Sequence, residues 1–471
     1  MKTVRVRIIR LCFMDKNFAW GKKIMPALRF DKNSFSEERD KAFKLLDSIS
    51  PCGFLIFGGK ADDIADLTSE LLRRSGRRLL FAADLEFGAG QQFEGLTRLP
   101  SAAAISASYD ASALACLAGR LTAKEALSVG VNLIFAPVCD VNTEPLNPII
   151  NVRSFGSDSQ RVSELSRNWI HGAQAAGAFA CAKHFPGHGS TIFDSHEKLA
   201  EGPRDPDEFK TKHLEPFKSA ISACVKSIMV AHMTVPAIDD SLLPATLSSR
   251  IVTDLLRKEM GFDGVVITDA LIMSGIGTSE EDAAIKAVKA GCDILLYPTD
   301  AEKVFSVLSQ LDDDPNPSIK RIDRIFGIDI VESISNSAIT LIKGAPTKPS
   351  SFMILSDDAR LDPSPFRQAA ISAGWKEIST KDEVFDHEKC VTAVFAMPGA
   401  WRGRSGPSQS VISSIPIDTG VISFGDPYFL FDLDCNYALA AYDAHPSTQN
   451  AVVSKLNNGE IFKGTCPFVK P

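Results

Sequence analysis

The chain has 471 residues, with 51 basic and 58 acidic side chains and a net charge of -7. This length exceeds that of one ordinary domain and fits a barrel of about 250 to 300 residues followed by a smaller domain. The negative balance provides no positive field for nucleic acid or an anionic membrane surface, so we expect neither as a partner.

Residues 1–23 form a predicted N-terminal extension. Arg10, Asp15 and Lys16 interrupt its apolar character, so we expect neither a signal peptide nor a membrane span. The ten cysteines include no CxxC pair, and several lie inside apolar runs. This pattern is typical of reduced, buried thiols and predicts a cytoplasmic protein. The sequence makes no prediction of oligomeric state.

Eight short apolar runs predict strands, and segments with helical periodicity lie between them. Strands that alternate with helices pair in parallel, so residues 24–343 are predicted to form a catalytic (β/α)8 TIM-like barrel. A doubly wound open sheet is the alternative topology. The predicted strands are 24–30, 53–57, 78–83, 132–138, 178–184, 227–232, 264–268 and 293–297. The predicted helices include 37–49, 64–74, 161–176, 207–223, 249–260 and 280–290.

A second, smaller α/β domain is predicted for residues 352–471. A helical segment at 319–343 precedes it, and the Gly/Pro/Ser-rich stretch 344–351 is interpreted as a linker. The Gly/Arg loop 399–406 lacks a phosphate-binding pattern and is interpreted as a solvated connector. The predicted strands are 352–355, 391–397, 420–424 and 437–441, and the predicted helix is 448–456.

The stretch 183–196 reads KHFPGHGSTIFDSH and follows an apolar run at 178–182. Because barrels place their chemistry after the C-terminal ends of strands, this loop is the predicted active site. Asp194 is placed to orient the ring of His196 and raise its basicity, as a general acid/base requires. An isolated Asp-x-His pair is more often structural, and the charged neighbours favour the functional interpretation.

Residues 264–271 read GVVITDAL, a buried strand that ends at Asp269. A carboxylate at that position can act as a nucleophile, a general base or a metal ligand. The structural alternative is the N-cap of a following helix.

Polar side chains that follow several strands form a predicted ring for a polyhydroxylated or amidated ligand. Carboxylates accept hydrogen bonds from sugar hydroxyls, and lysine and arginine donate charge-assisted ones. Glu86 and Asp140 also follow strands, without an assigned role. The predicted ring consists of Asp84, Arg153, Lys183, His184 and His232.

The stretch 183–196 resembles the signature of glycoside hydrolase family 3, specifically its N-acetyl-β-glucosaminidase branch. Supporting resemblances follow in chain order at 83–86 (ADLE), 147–156 (NPII, then RSFG), 229–232 (MVAH) and 267–271 (ITDAL). They lie inside the predicted barrel.

The resemblance implies a retaining exo-glycosidase that removes terminal β-linked N-acetylglucosamine from muropeptides or chito-oligosaccharides, with peptidoglycan recycling as its role. Asp269 would be the nucleophile that forms a glycosyl-Asp intermediate, and His196 paired with Asp194 the acid/base. Neither a cofactor nor a metal is implied. The residues that would bind the terminal sugar are Asp84, Arg153, Lys183 and His184.

Several alternatives remain open. After Glu86 the family branch has a Gly-Gly-Arg type segment, whereas residues 87–92 read FGAGQQ, which leaves the substrate open. A β-glucosidase or a β-N-acetylglucosaminide phosphorylase is therefore an alternative, and so is a silent sugar-binding protein. Only about 120 residues follow the linker, which disfavours an acid/base drawn from the second domain. A metal-dependent barrel hydrolase is a further alternative, with the candidate ligands His184, His188, His196, His232 and Asp269.

Overall fold

The computed structural model describes residues 16–191, 200–327, 334–380, 386–396 and 406–468. Within these ranges the chain divides into two compact units, one up to Phe326 and the other from Gly327. Each unit has an apolar core of its own. No helix within the described ranges combines the length and the apolar character needed to cross a membrane.

The first unit is built on short parallel strands. A separate two-stranded pair, β7 with β9, lies beyond the strand ends of the main sheet. The strands are β1 Ile24–Met25, β2 Ala27–Arg29, β3 Gly53–Phe57, β4 Leu80–Ala83, β5 Leu133–Ile134, β6 Phe179–Phe185, β7 Ala200–Glu201, β8 Ser227–Val230, β9 Met233–Thr234, β10 Val265–Thr268 and β11 Leu295–Leu296.

These strands close into a ring. Parallel pairing runs in the order β10, β8, β6, β5, β4, β3, β2. Next to β2 along the chain, β1 pairs in parallel with β11. A parallel bridge between Ile267 and Ile294 then joins β10 to the segment that enters β11. With β1 and β2 counted as one interrupted strand, eight positions surround the core. The predicted (β/α)8 barrel is confirmed.

Strand residues alternate between the barrel interior and the surrounding helical layer. On β3, Leu55 joins the interior cluster, while Phe54 and Ile56 pack with the helices. On β10 the interior residues are Val265 and Ile267. Since both faces of each strand are buried, the strands are continuous apolar runs in the sequence.

Helices surround the strands. The predicted helix at 207–223 is broken into Pro206–Glu208, a π-helical turn Phe209–His213 and Glu215–Ser222. Pro216 has no N–H to donate, so the helix restarts there. The other helices are Lys16–Gly21, Phe35–Ile49, Ala61–Ser75, Ala102–Ser106, Ala111–Ser128, Ser159–Ala175, the π-helical Arg250–Glu259, Glu280–Ala290, Ala301–Leu308 and Asn316–Ile325.

The second unit is a six-stranded sheet with helices. Its strand order is β12, β17, β16, β15, β13, β14, and only β12 runs antiparallel to its neighbour. The strands are β12 Thr340–Gly344, β13 Ser351–Ser356, β14 Lys376–Glu377, β15 Cys390–Ala396, β16 Gly420–Gly425 and β17 Tyr437–Ala440. The helices include Ser364–Ser372, Gln409–Ser413 and Pro446–Asn458.

The boundary between the units differs from the sequence expectation. We expected helix over 319–343 and a linker at 344–351. The described residues are helical at Asn316–Ile325 and again at 334–338, and β12 occupies 340–344. Leu341 pairs with Leu439 of β17 in the second sheet. The β-branched residues Thr340 and Ile342 favour an extended backbone over a helix. The second unit therefore begins before the expected linker.

Candidate active site

A cavity of about 640 Å³ lies at the C-terminal ends of the barrel strands. Its polar wall comes from β6 and from the segments that follow β4, β5, β6 and β10. The polar side chains that line this wall are Asp84, Glu86, Arg153, Lys183, His184, His188 and Asp269.

The inside/outside alternation of the strands places the key side chains in this cavity. Lys183 lies two residues after the interior Cys181, and Asp269 lies two residues after the interior Ile267. Asp84 is likewise two residues beyond an interior residue of β4. Three distant parts of the chain thus direct charged groups to one point.

Glu86 connects two permanent cations of the site, Lys183 and Arg153. Its Oε1 lies 2.7 Å from Lys183 Nζ and 2.7 Å from Arg153 Nη2, and its Oε2 accepts from Arg153 Nε at 2.7 Å. Lys183 Nζ also donates to Asp84 Oδ1 at 2.6 Å. The result is a chain of four charges that holds both cations toward the cavity.

Most of this network is buried. Glu86 has a side chain only 7% exposed, and Lys183 only 2%. Burial opposes ionisation of Glu86, but the charges of Lys183 and Arg153 outweigh it and hold its pKa well below its usual range. Burial likewise disfavours the ammonium of Lys183, yet the carboxylates of Asp84 and Glu86 raise its pKa. Glu86, Arg153 and Lys183 are therefore charged at neutral pH.

Asp140 fixes the orientation of the histidine that follows Lys183. Its Oδ2 lies 2.7 Å from His184 Nδ1, and the opposite ring nitrogen lies 3.4 Å from Arg153 Nη2. The other oxygen of Asp140 accepts from the backbone N–H of His188 at 2.6 Å. Burial raises the pKa of Asp140, but the charge and the hydrogen bond of His184 outweigh it and lower the pKa overall.

Two glycines of the loop after β6 allow close backbone packing. A Cβ on Gly189 would lie 1.9 Å from the carbonyl oxygen of Val141. Gly187 has a φ of 126° and faces His213, whose Cβ would be 2.9 Å away from an added Cβ. Neither position accepts a larger residue without moving the backbone. The loop thus keeps His188 within reach of Asp140.

Asp269 is the carboxylate that follows β10 in the cavity wall. Its backbone N–H donates to Val230 O at 2.9 Å, and its Oδ1 accepts from the N–H of Ala270 at 2.8 Å. Burial raises its pKa, but the charges of His184 and His232 and the Ala270 hydrogen bond outweigh it. An ionised, oriented carboxylate of this kind can attack an electrophilic carbon.

The remaining predicted residues fall into two groups. His232 is fully buried and does not line the cavity, and its Nδ1 and Nε2 lie near Thr246 and Ala270. Asp194 and His196 lie in the segment 192–199, outside the described residues. The structure therefore brings together Asp84, Arg153, Lys183, His184 and Asp269.

The opposite wall of the cavity was not predicted from the sequence. Arg29 lies over the ring of Phe57, 4.6 Å from its centroid, and donates to the hydroxyl of Tyr297 at 3.0 Å. Lys32 also lines the cavity. Arg29 and Phe57 are again interior-facing positions at strand ends, which is the signal that would have identified them.

In the described part of the chain, no three His, Cys, Asp or Glu side chains are arranged to hold a metal ion. His184 and His188, two of the candidate ligands, instead face Asp140 through a ring nitrogen and a backbone N–H. Within the described part of the chain, these two histidines therefore contact Asp140.

The family model described as "Glycosyl hydrolase family 3 N terminal domain" matches residues 56–325. The matched region contains the strand ends and the loops that form the polar wall of the cavity, whereas Arg29 and Lys32 precede it.

The chain is also similar to proteins named as hexosaminidases or N-acetylglucosaminidases. A protein named Beta-hexosaminidase from Thioalkalivibrio sulfidiphilus (strain HL-EbGR7) is 38% identical over 288 residues, covering 58% of this chain and 82% of that protein. Another, named Beta-N-acetylglucosaminidase/beta-glucosidase, from Cellulomonas fimi, is 25% identical over 490 residues and covers 86% of each chain. The solved structure of a glycoside hydrolase family 3 beta-N-acetylglucosaminidase from Paenibacillus sp. str. FPU-7 is 27% identical with a TM-score of 0.62. The alignment covers 96% of this chain and 98% of that one.

Proposed function

Since the chain belongs to glycosyl hydrolase family 3 and is a glycoside hydrolase that acts on β-linked N-acetylglucosamine, we propose that its mechanism is retaining and exo-acting. The natural substrates in this proposal are cell-wall muropeptides or chito-oligosaccharides, and the role is peptidoglycan recycling. The observation that supports it most is the buried carboxylate of Asp269 beside a fixed set of charged groups.

Asp269 acts as the nucleophile in this proposal. Its carboxylate attacks the anomeric carbon of the terminal sugar, forming a C–O bond while the bond to the leaving oxygen breaks. His196, oriented by Asp194, gives its proton to that oxygen and then takes one from the water that releases the sugar. The two displacements restore the original anomeric configuration.

Four residues hold the sugar. Asp84 retains an oxygen that can accept from a sugar hydroxyl, since only its Oδ1 contacts Lys183. Lys183, Arg153 and His184 face the same cavity and offer donors to the hydroxyl and acetamido oxygens. Because these groups are already held by Glu86 and Asp140, binding requires little rearrangement.

We also place the protein in the cytoplasm. The nine cysteines of the described ranges are free thiols, and five of them are buried. This usage suits a reducing compartment. Fractionation of the native cells with an antibody against the chain would test the placement, and recovery outside the cytoplasm would contradict it.

The activity test uses aryl N-acetyl-β-glucosaminide and aryl β-glucoside, each with and without inorganic phosphate. We expect release of N-acetylglucosamine with retained configuration, without a requirement for phosphate. Cleavage of the glucoside alone would refute the assignment of N-acetylglucosaminide as the substrate. A sugar phosphate as the product would show that phosphate, and not water, is the acceptor. Full activity after treatment with a chelator would exclude a metal-dependent mechanism.

Asp269→Ala should lower kcat/KM by about 10⁴-fold, the loss expected on removing a group that acts in the chemical step. Asp254→Ala is the matched control, because that carboxylate is exposed and contacts only Lys258 in a surface pair. Wild-type turnover by Asp269→Ala would refute the assigned nucleophile.

A further inference from the structure

His232 lies behind the active-site cavity and not in it. On β8 the interior-facing residue is Met229, so Ile228, Val230 and His232 alternate to the outer side of the barrel. The ring is fully buried. Its Nδ1 lies 2.8 Å from Thr246 Oγ1, and its Nε2 lies 3.1 Å from the carbonyl oxygen of Ala270.

The chemistry of these neighbours determines where the ring protons lie. A carbonyl oxygen only accepts, so the contact with Ala270 requires a proton on Nε2. Thr246 Oγ1 also lies 2.8 Å from the carbonyl oxygen of Ala231 and 3.2 Å from that of Val230. A hydroxyl proton that points to one of these carbonyls leaves the oxygen free to accept from Nδ1. With a proton on both nitrogens the ring is an imidazolium.

The charge of the nucleophile favours this state. The carboxylate of Asp269 and the ring of His232 interact electrostatically, and the positive charge of His232 lowers the pKa of Asp269. In a buried site this Coulomb attraction is stronger than in water.

His232 contacts the backbone that positions the nucleophile. The carbonyl of Ala270 faces the His232 ring, and the N–H of the same residue donates to Asp269 Oδ1. The ring is thus linked to the nucleophile through one residue of backbone. Movement of the ring would move the donor that orients the carboxylate.

We propose that His232 is a positioning residue for Asp269, a buried imidazolium that keeps the nucleophile ionised and oriented and does not contact the sugar. This inference rests on the proposed role of Asp269 as nucleophile. The charged neighbours of Asp269 in the described residues are Lys183 and His184 from β6 and His232 beyond β8. Burial raises the pKa of Asp269, and these three charges lower it.

The protonation state can be measured without any assay of activity. Ring ¹⁵N NMR of the full-length protein, with the His232 signals assigned by their loss in His232→Gln, should show both nitrogens protonated at pH 7. A neutral ring with one unprotonated nitrogen at pH 7 would overturn the proposal. This readout stands even if the substrate assignment fails.

The kinetic consequence is a shift in pH dependence. For His232→Gln we expect the acidic limb of the kcat/KM profile to move up by about one pH unit, because Asp269 loses a nearby positive charge. We also expect kcat to fall by about tenfold or more with KM nearly unchanged, because the sugar does not contact His232. An unchanged acidic limb, or a loss confined to KM, would contradict the proposal.

Matched variants separate this role from a structural one. Thr246→Val removes the acceptor of the Nδ1 proton and should shift the acidic limb in the same direction, whereas Thr246→Ser should restore the wild-type profile. His171→Gln, on the exposed face of the helix Ser159–Ala175, should change neither the limb nor kcat. Equal profiles for the valine and serine variants would count against the proposal. If the wild type cleaves neither aryl glycoside, the proposed function fails while the NMR result still decides the state of His232.

Discussion

Glu86 is a buried carboxylate that contacts both Lys183 and Arg153, the two cations that we expect to bind the sugar. The sequence alone assigned it no role. Lys183 and Arg153 could be predicted because each stands in a recognisable stretch of sequence. Glu86 could be identified only as a strand-end residue, because a pairing across 67 positions in the chain is not visible in one sequence. Asp140, which lies 44 residues from His184, was likewise noted only as a strand-end residue.

Glu86→Gln should lower the free energy of unfolding by about 3 kcal/mol or more, because removing one partner leaves buried charges uncompensated. It should also reduce kcat/KM by about 100-fold, because Lys183 and Arg153 lose the group that positions them. The measurements are denaturant unfolding and steady-state kinetics. Since the folded pKa of Glu86 is depressed, its stabilisation is present above the usual pKa of a glutamate and is lost on acidification. The variant should lack this acid dependence.

The control for that experiment is Glu302→Gln. Glu302 pairs with Lys44 at 2.7 Å on the surface, with both side chains more than a third exposed. Such pairs contribute under about 1 kcal/mol. Comparable losses of unfolding free energy in the two variants would show that the ion pairs of Glu86 contribute no more than a surface ion pair.

At the scale of the strands, the alternation of inward and outward residues decides which strand-end groups reach the cavity. Asp84, Lys183 and Asp269 share the interior side with apolar residues two positions earlier. His232 has the opposite parity and is buried outside the cavity. His184 departs from simple alternation because the register between β6 and β8 shifts between Ala182 and Phe185. Such an irregularity depends on the neighbouring strand.

The opposite ends of the strands carry a buried charge cluster that supports the barrel. Lys23 precedes β1 and donates to the carbonyl oxygen of Cys292 at 2.9 Å. Asp293, in the segment that enters β11, lies 2.5 Å from Arg257 and 2.7 Å from Arg321. Burial lowers the pKa of Lys23 to about 8, although Asp293 acts in the opposite direction. An unfolded lysine titrates near 10.5.

This difference predicts a pH-dependent stability. Between about pH 8 and about pH 10.5 the unfolded chain holds the Lys23 proton and the folded chain has released it, so stability rises with pH. The contribution is fully present above about pH 10.5 and is lost as the pH falls through about 8. Relative to Lys23→Met, the wild type should gain up to about 3 kcal/mol over this window.

Urea unfolding of both proteins at several pH values gives the gain as a difference between two unfolding free energies. Contributions from the titration of cysteines and tyrosines are common to both proteins and cancel. Lys289→Met serves as a control on the last turn of the helix Glu280–Ala290. Parallel pH profiles for the wild type and Lys23→Met would refute the assignment.

At the scale of the whole molecule, the chain divides near Gly327 and not at the expected linker. The described site residues all belong to the unit that ends at Phe326. The strand β12, at 340–344, needs β17 as its partner. A fragment that stops just after β12 would expose an apolar strand with unpaired backbone groups, which is a template for aggregation.

We therefore expect the fragment 1–326 to stay monodisperse and to unfold cooperatively, while the fragment 1–343 aggregates. Light scattering and thermal unfolding by circular dichroism compare the two. Ile342→Lys in the longer fragment is the matched control and should restore solubility, because a charge on an edge strand opposes pairing. Equal solubility of both fragments would contradict the boundary.

The order of strands and helices in the barrel follows from the sequence alone, and so does the end of the barrel that carries the polar groups. Buried parallel strands are continuous apolar runs, and the chain must leave each run where a polar residue appears. The tertiary structure decided the rest. It showed that Glu86 and Asp140 hold the cations and histidines, that His232 lies behind the cavity, and that 340–344 belongs to the second sheet. Each of these depends on contacts between residues far apart in the chain, and a local pattern carries no information on such contacts.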